Sequence, residues 1–121
     1  MDRVQTGRLG EEEAARFLEA LGWTILGRNI RSGRREVDLI AQKDEILAFV
    51  EVKSRRGSSY GHPLDAITLA KQRDIARVAR DWLRGRPLQA GTMIRFDAVS
   101  VLWSGGGAPR VAHVPDAWRL G

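Results

Sequence analysis

Asp38, Glu51 and Lys53 are of the types that handle phosphate and metal chemistry, and their spacing would bring them together. The stretch holding them, REVDLIAQKDEILAFVEVKSRR from Arg35 to Arg56, reads as two strands, Glu36 to Gln42 and Ile46 to Lys53, joined by a tight turn at Lys43-Asp44-Glu45. Folding that hairpin about Asp44 sets Asp38 nearly opposite Val50 and Glu51, within cross-strand reach of a carboxylate. Two carboxylates that close repel, and one pKa rises unless a cation lies between them. Asp and Glu oxygens suit a hard divalent ion such as Mg²⁺, which keeps several waters and is completed by a substrate phosphate. Lys53, on the face of Glu51, would then act as a point charge beside that phosphate. The competing arrangement is a Glu51-Lys53 ion pair at the rim of an edge strand, with Asp38 paired to an arginine.

The elements that must position these groups show in the alternation. Glu36, Asp38 and Ile40 share one face of the first strand, and Leu47, Phe49, Glu51 and Lys53 one face of the second. The opposite faces, Val37, Leu39, Ala41 and Ile46, Ala48, Val50, Val52, are wholly apolar, the pattern of a sheet covered on both sides. An uncompensated charge there costs several kcal/mol, so Asp38, Glu51 and Lys53 need partners.

A first helix is expected from about Thr6 to Gly10 onward, ending at Gly22 as a C′ glycine. Ala14, Ala15, Leu18 and Leu21 form its apolar stripe with Phe17 at the edge. Glu11 falls inside that stripe, whereas Glu12, Glu13 and Glu19 face solvent. Either Glu11 merely complements the helix dipole, or its inward facing makes it part of the site. Trp23 to Leu26 reads as a short strand, and Asn29 to Arg34 as a basic loop entering the hairpin. Downstream of Lys53, the turn-rich loop Ser54 to Pro63 carries Arg55, Arg56 and Tyr60, placed to touch substrate or simply to connect elements. A second helix is expected over Thr68 to Arg84, with Thr68 as N-cap and Ile75, Val78, Ala79, Trp82 and Leu83 as its stripe. Lys71 shares that stripe beside Gln72, either as a phosphate binder at the helix start or as a snorkelling stem. Arg73, Arg77, Arg80 and Arg84 coat the outside. Then follow a linker from Gly85 to Gly91, a strand from Met93 to Leu102 with an Arg95-Asp97 pair, a last strand from Arg110 to Val114, and a tail whose Trp118 can dock on the sheet.

With 121 residues the chain makes one domain, residues 1-121, large enough for a real core. It has no cysteine, which removes disulfides and thiolate chemistry, and two histidines, which leaves no His/Cys zinc site. No apolar run is long enough to cross a bilayer and no leader pattern opens the chain, so the expectation is a cytoplasmic protein without a membrane partner. A formal charge of +5, with seventeen of twenty basic residues arginine, favours a nucleic-acid partner over an acidic small molecule. Carboxylates, lysine and arginine are the groups used in metal-assisted phosphodiester hydrolysis.

Asp38, twelve intervening residues, then Glu51-Val52-Lys53 resembles the PD-(D/E)xK nuclease signature. Together with Gly10-Glu11 and Ala14, Arg28-Asn29, Glu36 to Ala41, Phe49 to Arg55, Tyr60-Gly61, Lys71 and Arg95-Phe96-Asp97, it resembles the YraN family of small bacterial proteins over essentially the whole chain. The resemblance implies an α/β fold with a restriction-endonuclease-like core, a central mixed β-sheet flanked by helices in the order α-β-β-β-α-β, related to Holliday junction resolvases. It implies metal ligands at Asp38, Glu51 and the Val52 carbonyl, with Glu11 as an additional carboxylate, Lys53 orienting the attacking water, and Mg²⁺ or Mn²⁺ as cofactor. Arg55, Arg56, Tyr60, Lys71 and Gln72 are the expected nucleic-acid contacts, with DNA favoured over RNA, and the resolvase analogy implies a homodimer. The alternative is a binding module that keeps the nuclease fold with little or no catalysis. Val37 stands where the signature has proline, and Arg35 where the family pattern has glycine.

Overall fold

The computed structural model describes residues 3–57 and 67–119. Its elements are α1 (Arg3–Ala20), β1 (Thr24–Ser32), β2 (Arg35–Lys43), β3 (Ile46–Arg56), α2 (Leu69–Leu83), β4 (Met93–Trp103) and β5 (Arg110–Val114). One five-stranded sheet runs in the order β1-β2-β3-β4-β5. β3 and β4 are parallel and the other neighbours antiparallel, so the sheet is mixed, as expected. A parallel pair needs a long crossover, and the segment containing α2 supplies it.

The β2-β3 hairpin folds about Asp44, which takes a left-handed conformation (φ 53°) that a short polar side chain tolerates. Its ladder runs from Lys43↔Ile46 to Leu39↔Val50, the register expected from the turn. α1 packs Ala14, Ala15 and Leu18 against Leu39, Ala41, Ala48 and Val50 on one face. α2 packs Ile75, Val78 and Ala79 against Ile40, Leu47 and Phe49 on the other. Thr68 caps α2, its hydroxyl accepting from the Lys71 N–H at 3.1 Å. Trp118 lies on the α2 face, stacked on Phe96 with ring centroids 5.6 Å apart.

The structure departs from the sequence reading in five places, one of them that β3 runs on through Arg56, three residues into the stretch expected to be a loop. α1 starts at Arg3, earlier than Thr6. Its end is as expected, with Gly22 as the C′ residue of a Schellman turn: Trp23 N–H donates to Leu18 O, Gly22 N–H donates to Glu19 O, and Gly22 has φ +98°. Leu21 falls within that turn and is exposed rather than part of the core stripe. Residues 29 to 32 are not a loop, because β1 continues through Ser32 along β2. Its alternation is hidden by a register shift between Ile25 and Gly27 and by left-handed Asn29 (φ 50°), and as an edge strand it lacks a buried face of its own. Val37 packs with Ile30 and Ile40 on the α2 side instead of with Leu39.

Candidate active site

Where the β2-β3 ladder ends, Asp38 takes the place of a strand partner: its Oδ2 accepts from the Val52 N–H at 2.7 Å. The carboxylate is thereby fixed beside Glu51, which is 2% exposed. Lys53 Nζ lies 3.7 Å and Lys71 Nζ 3.5 Å from the same Glu51 oxygen, Oε2. Lys53 comes from the next inward-facing position of β3, and Lys71 from the first turn of α2, placed there by the Thr68 cap. Of the competing arrangement, the Glu51-Lys53 ion pair forms, but Asp38 pairs with no arginine among the described residues; its partners are the Val52 amide and Glu51.

Burial pushes the Glu51 carboxyl up to about 8, the hydrogen bond and charge of Asp38 add to the rise, and Lys71 and Lys53 oppose it. Two lysines therefore fail to compensate the buried charge in full. Glu11, half-buried on α1, is also held above the usual carboxylate range, first by burial and then by Asp38, with a hydrogen bond to Asn29 acting against both. Arg28, next to Asn29, donates to Glu12 at 2.9 Å, so β1 and α1 are tied together at this corner.

Gly10 explains how Glu11 reaches the site. A Cβ at Gly10 would run into the Ser54 side chain, so only glycine lets α1 lie this close to β3. Ser54 Oγ donates to Thr6 O and accepts from Trp103 Nε1, both at 2.9 Å, pinning helix and strand just past Lys53.

Asp38 and Glu51 fit the donor chemistry of a hard divalent ion: two carboxylates in contact, with the Glu51 carboxyl raised first by burial and then by Asp38. Glu11 stands further back. Among the described residues no three acidic or histidine side chains converge closely enough to hold an ion unaided. Of the expected nucleic-acid contacts, Lys71 joins the carboxylates, while Gln72 turns its Nε2 to the Ile67 carbonyl at 3.2 Å. Arg55 and Arg56 end β3, half-buried and exposed respectively. Tyr60 lies outside the described residues.

A second buried carboxylate, Asp97 on β4, is fully enclosed, and the sequence pair Arg95-Asp97 proves to be part of a larger network. Arg95 donates from Nε and one Nη at 2.8 and 2.9 Å, His113 Nε2 lies 2.8 Å away, and the Asp116 N–H donates at 2.9 Å. Burial alone would raise this carboxyl, but the bonds from His113, Arg95 and Asp116 together hold it below the usual range. The His113 contact depends on the β4-β5 register, which sets His113 against Val99, and no local sequence signal announces it.

The family model described as uncharacterised protein family UPF0102 matches residues 10–101. Among curated relatives, a UPF0102 protein of Chloroherpeton thalassium is 46% identical over 99 residues, covering 82% of this chain and 76% of its own. One of Rhodococcus opacus is 46% identical over 112 residues, covering 93% and 94%. One of Myxococcus xanthus is 39% identical over 120 residues, covering 99% and 94%.

Proposed function

Since the chain belongs to uncharacterised protein family UPF0102, the YraN family, whose description names no activity, the chemistry must come from its own residues, and we propose a metal-dependent nuclease that hydrolyses phosphodiester bonds in DNA, branched DNA included. The observation that carries the proposal is the Glu51 carboxyl, buried against Asp38 and raised to about 8 despite two lysines within 4 Å of it. Buried charged groups can often be exchanged for apolar side chains without loss of stability, so two carboxylates kept in contact favour a use beyond packing.

In this reading Asp38 and Glu51, with the Val52 carbonyl, hold Mg²⁺ or Mn²⁺, which when bound supplies an acidified water and positive charge for the phosphoryl oxygens. Asp38 is oriented beforehand by the Val52 amide, so the ligand geometry needs little rearrangement. Lys53 and Lys71, each about one-third exposed, reach from the buried carboxylate toward solvent, where they attract and seat a phosphate. Glu11, whose carboxyl feels the charge of Asp38, would be a further acceptor for water near the site.

One observation favours the alternative, a nucleic-acid-binding module with little catalysis: Glu11, Asp38 and Glu51 do not converge as a trio. The test is incubation of the purified chain with Mg²⁺ or Mn²⁺ and labelled duplex, single-stranded, flap and four-way-junction DNA plus RNA, beside Asp38→Asn. Cutting by the wild type and its loss in Asp38→Asn supports the nuclease. Binding by both without cutting supports the module.

A further inference from the structure

The formal charge of the chain is distributed unevenly over its two faces. On the turn between β1 and β2, Arg31, Arg34 and Arg35 outweigh Glu36 by two charges. On α2 and its C-cap, Lys71 and four arginines outweigh Asp74 and Asp81 by three. These two segments together equal the net +5 of the whole chain, whereas α1, with three arginines against four glutamates, carries −1. The α2 side is therefore the cationic side of the molecule, and it is also where Lys71 meets Glu51.

The arrangement is built rather than scattered. Ile75, Val78 and Ala79 bury one side of α2, leaving Arg73, Arg77, Arg80 and Arg84 as an exposed stripe along the other. The β1-β2 turn is fastened beside that stripe by the Ser32 hydroxyl on Asp81 and by Arg35 Nε on Asp74 at 3.3 Å. Asp81 also takes Arg77 and Arg84, so part of the stripe is neutralised, but Arg34, Arg73 and Arg80 make no salt bridge among the described residues.

We propose that the outer face of α2 and the clamped β1-β2 turn form a docking surface for duplex DNA, gripped through its phosphates, on the side of the helix opposite to the inner stripe from which Lys71 meets Glu51. The inference rests on the nuclease reading and adds to it which face carries the substrate and in what form. From Arg73 to Arg84 the helix rises ~16 Å, about half a turn of double helix, so several phosphates of one backbone fall within reach. Single strands are held on exposed aromatic platforms. Trp82, the aromatic residue of α2, is instead packed edge-on against Phe49 and covered by Arg86, which leaves charge without stacking.

The test is fluorescence anisotropy with a labelled duplex of about 20 base pairs in EDTA, which prevents cutting, over a salt series. In Arg34→Gln/Arg73→Gln/Arg80→Gln the affinity at ~0.1 M salt should fall tenfold or more, and the slope of log K against log salt should become shallower by roughly 2–3. The Lys triple at the same positions should retain most of the affinity, and Arg16→Gln on α1 should stay within twofold of wild type. Matching urea midpoints establish that the Gln triple is folded. A Gln triple that binds the duplex with wild-type affinity and slope overturns the proposal while leaving the nuclease standing. A wild type that binds no DNA at low salt overturns both. Tighter binding of a single strand than of the duplex, or equal loss of heparin and duplex in the Gln triple, overturns the assignment to duplex.

Discussion

Replacing Glu51 with Gln should stabilise the protein in alkaline solution and leave it close to wild type in mild acid. In the unfolded chain this carboxyl titrates near 4.5; in the folded protein burial and Asp38 carry it to about 8. Between those values the native state keeps a proton that the unfolded state has released. Stability therefore falls as pH rises, by ~1.4 kcal/mol per pH unit for one proton. Over the window from about 4.5 to about 8 the loss reaches a ceiling of ~4–5 kcal/mol. Water penetration and small movements of Asp38 reduce such penalties, so roughly 2–3 kcal/mol is the working figure. The amide introduced by Glu51→Gln has the shape of the protonated acid and does not titrate. Urea unfolding of both proteins in EDTA, at pH near 5, 7 and 9, should give a difference close to zero in the most acidic sample that grows to the working figure in the most basic one. Millimolar Mg²⁺ near pH 9 should then recover the wild type and leave Glu51→Gln unchanged. A difference that is independent of pH, or a variant less stable than wild type near pH 9, would refute the claim that Glu51 is an under-compensated buried charge.

Asp97→Asn should cost about 2–3 kcal/mol near neutral pH, because partly buried Arg95 loses its charge partner and the forked hydrogen bonds to it. The Asp97 carboxyl is held below its ordinary value of 3.8, so its contribution is complete above that value and lost as pH falls through the lowered one; urea melts of the two proteins should converge in strong acid. Gly10→Ala should destabilise by ~1–3 kcal/mol through overpacking against Ser54, read as a lower urea midpoint, and should also weaken any divalent-ion response by displacing Glu11. Thr68→Ala removes the cap of α2 at a cost of ~1 kcal/mol, measurable by thermal denaturation, and loosens the turn that carries Lys71.

What the chain disclosed about itself followed from how local the signal was. The β2-β3 hairpin needed only alternation and a turn, and the observed register of Leu39 with Val50 places Asp38 and Glu51 together as that pattern requires. The stripe and cap of α2 were equally local. β1 was legible only at its start, because a bulge and a left-handed asparagine break its alternation, and its bonds come from β2 rather than from burial. Lys71 could be placed on the inner stripe of α2 but not against Glu51, since that contact depends on how the crossover docks the helix. Glu11 was marked by its inward facing, while the reason it can approach, the missing Cβ of Gly10, is visible only with Ser54 in place.

Glu51 and Asp97 are neighbours in the parallel β3-β4 ladder, where Val50 pairs with Asp97 and Glu51 with Ala98. Both carboxylates are essentially sealed from solvent. Asp97 receives a forked arginine, an imidazole and a backbone amide, and it titrates below its ordinary range. Glu51 receives two lysines at 3.5 and 3.7 Å and faces another carboxylate, and it titrates far above. Burial is common to both, so burial does not distinguish them; the completeness of the partner set does. Arg95, His113 and the Asp116 amide show that this fold can satisfy a buried acid from side chains and backbone alone. The shortfall one register step away is then a local choice of partners, and in the proposed reading a divalent ion between Glu51 and Asp38 would make it good. That contrast is why the deficit at Glu51 reads as a site and the network at Asp97 as a support for it.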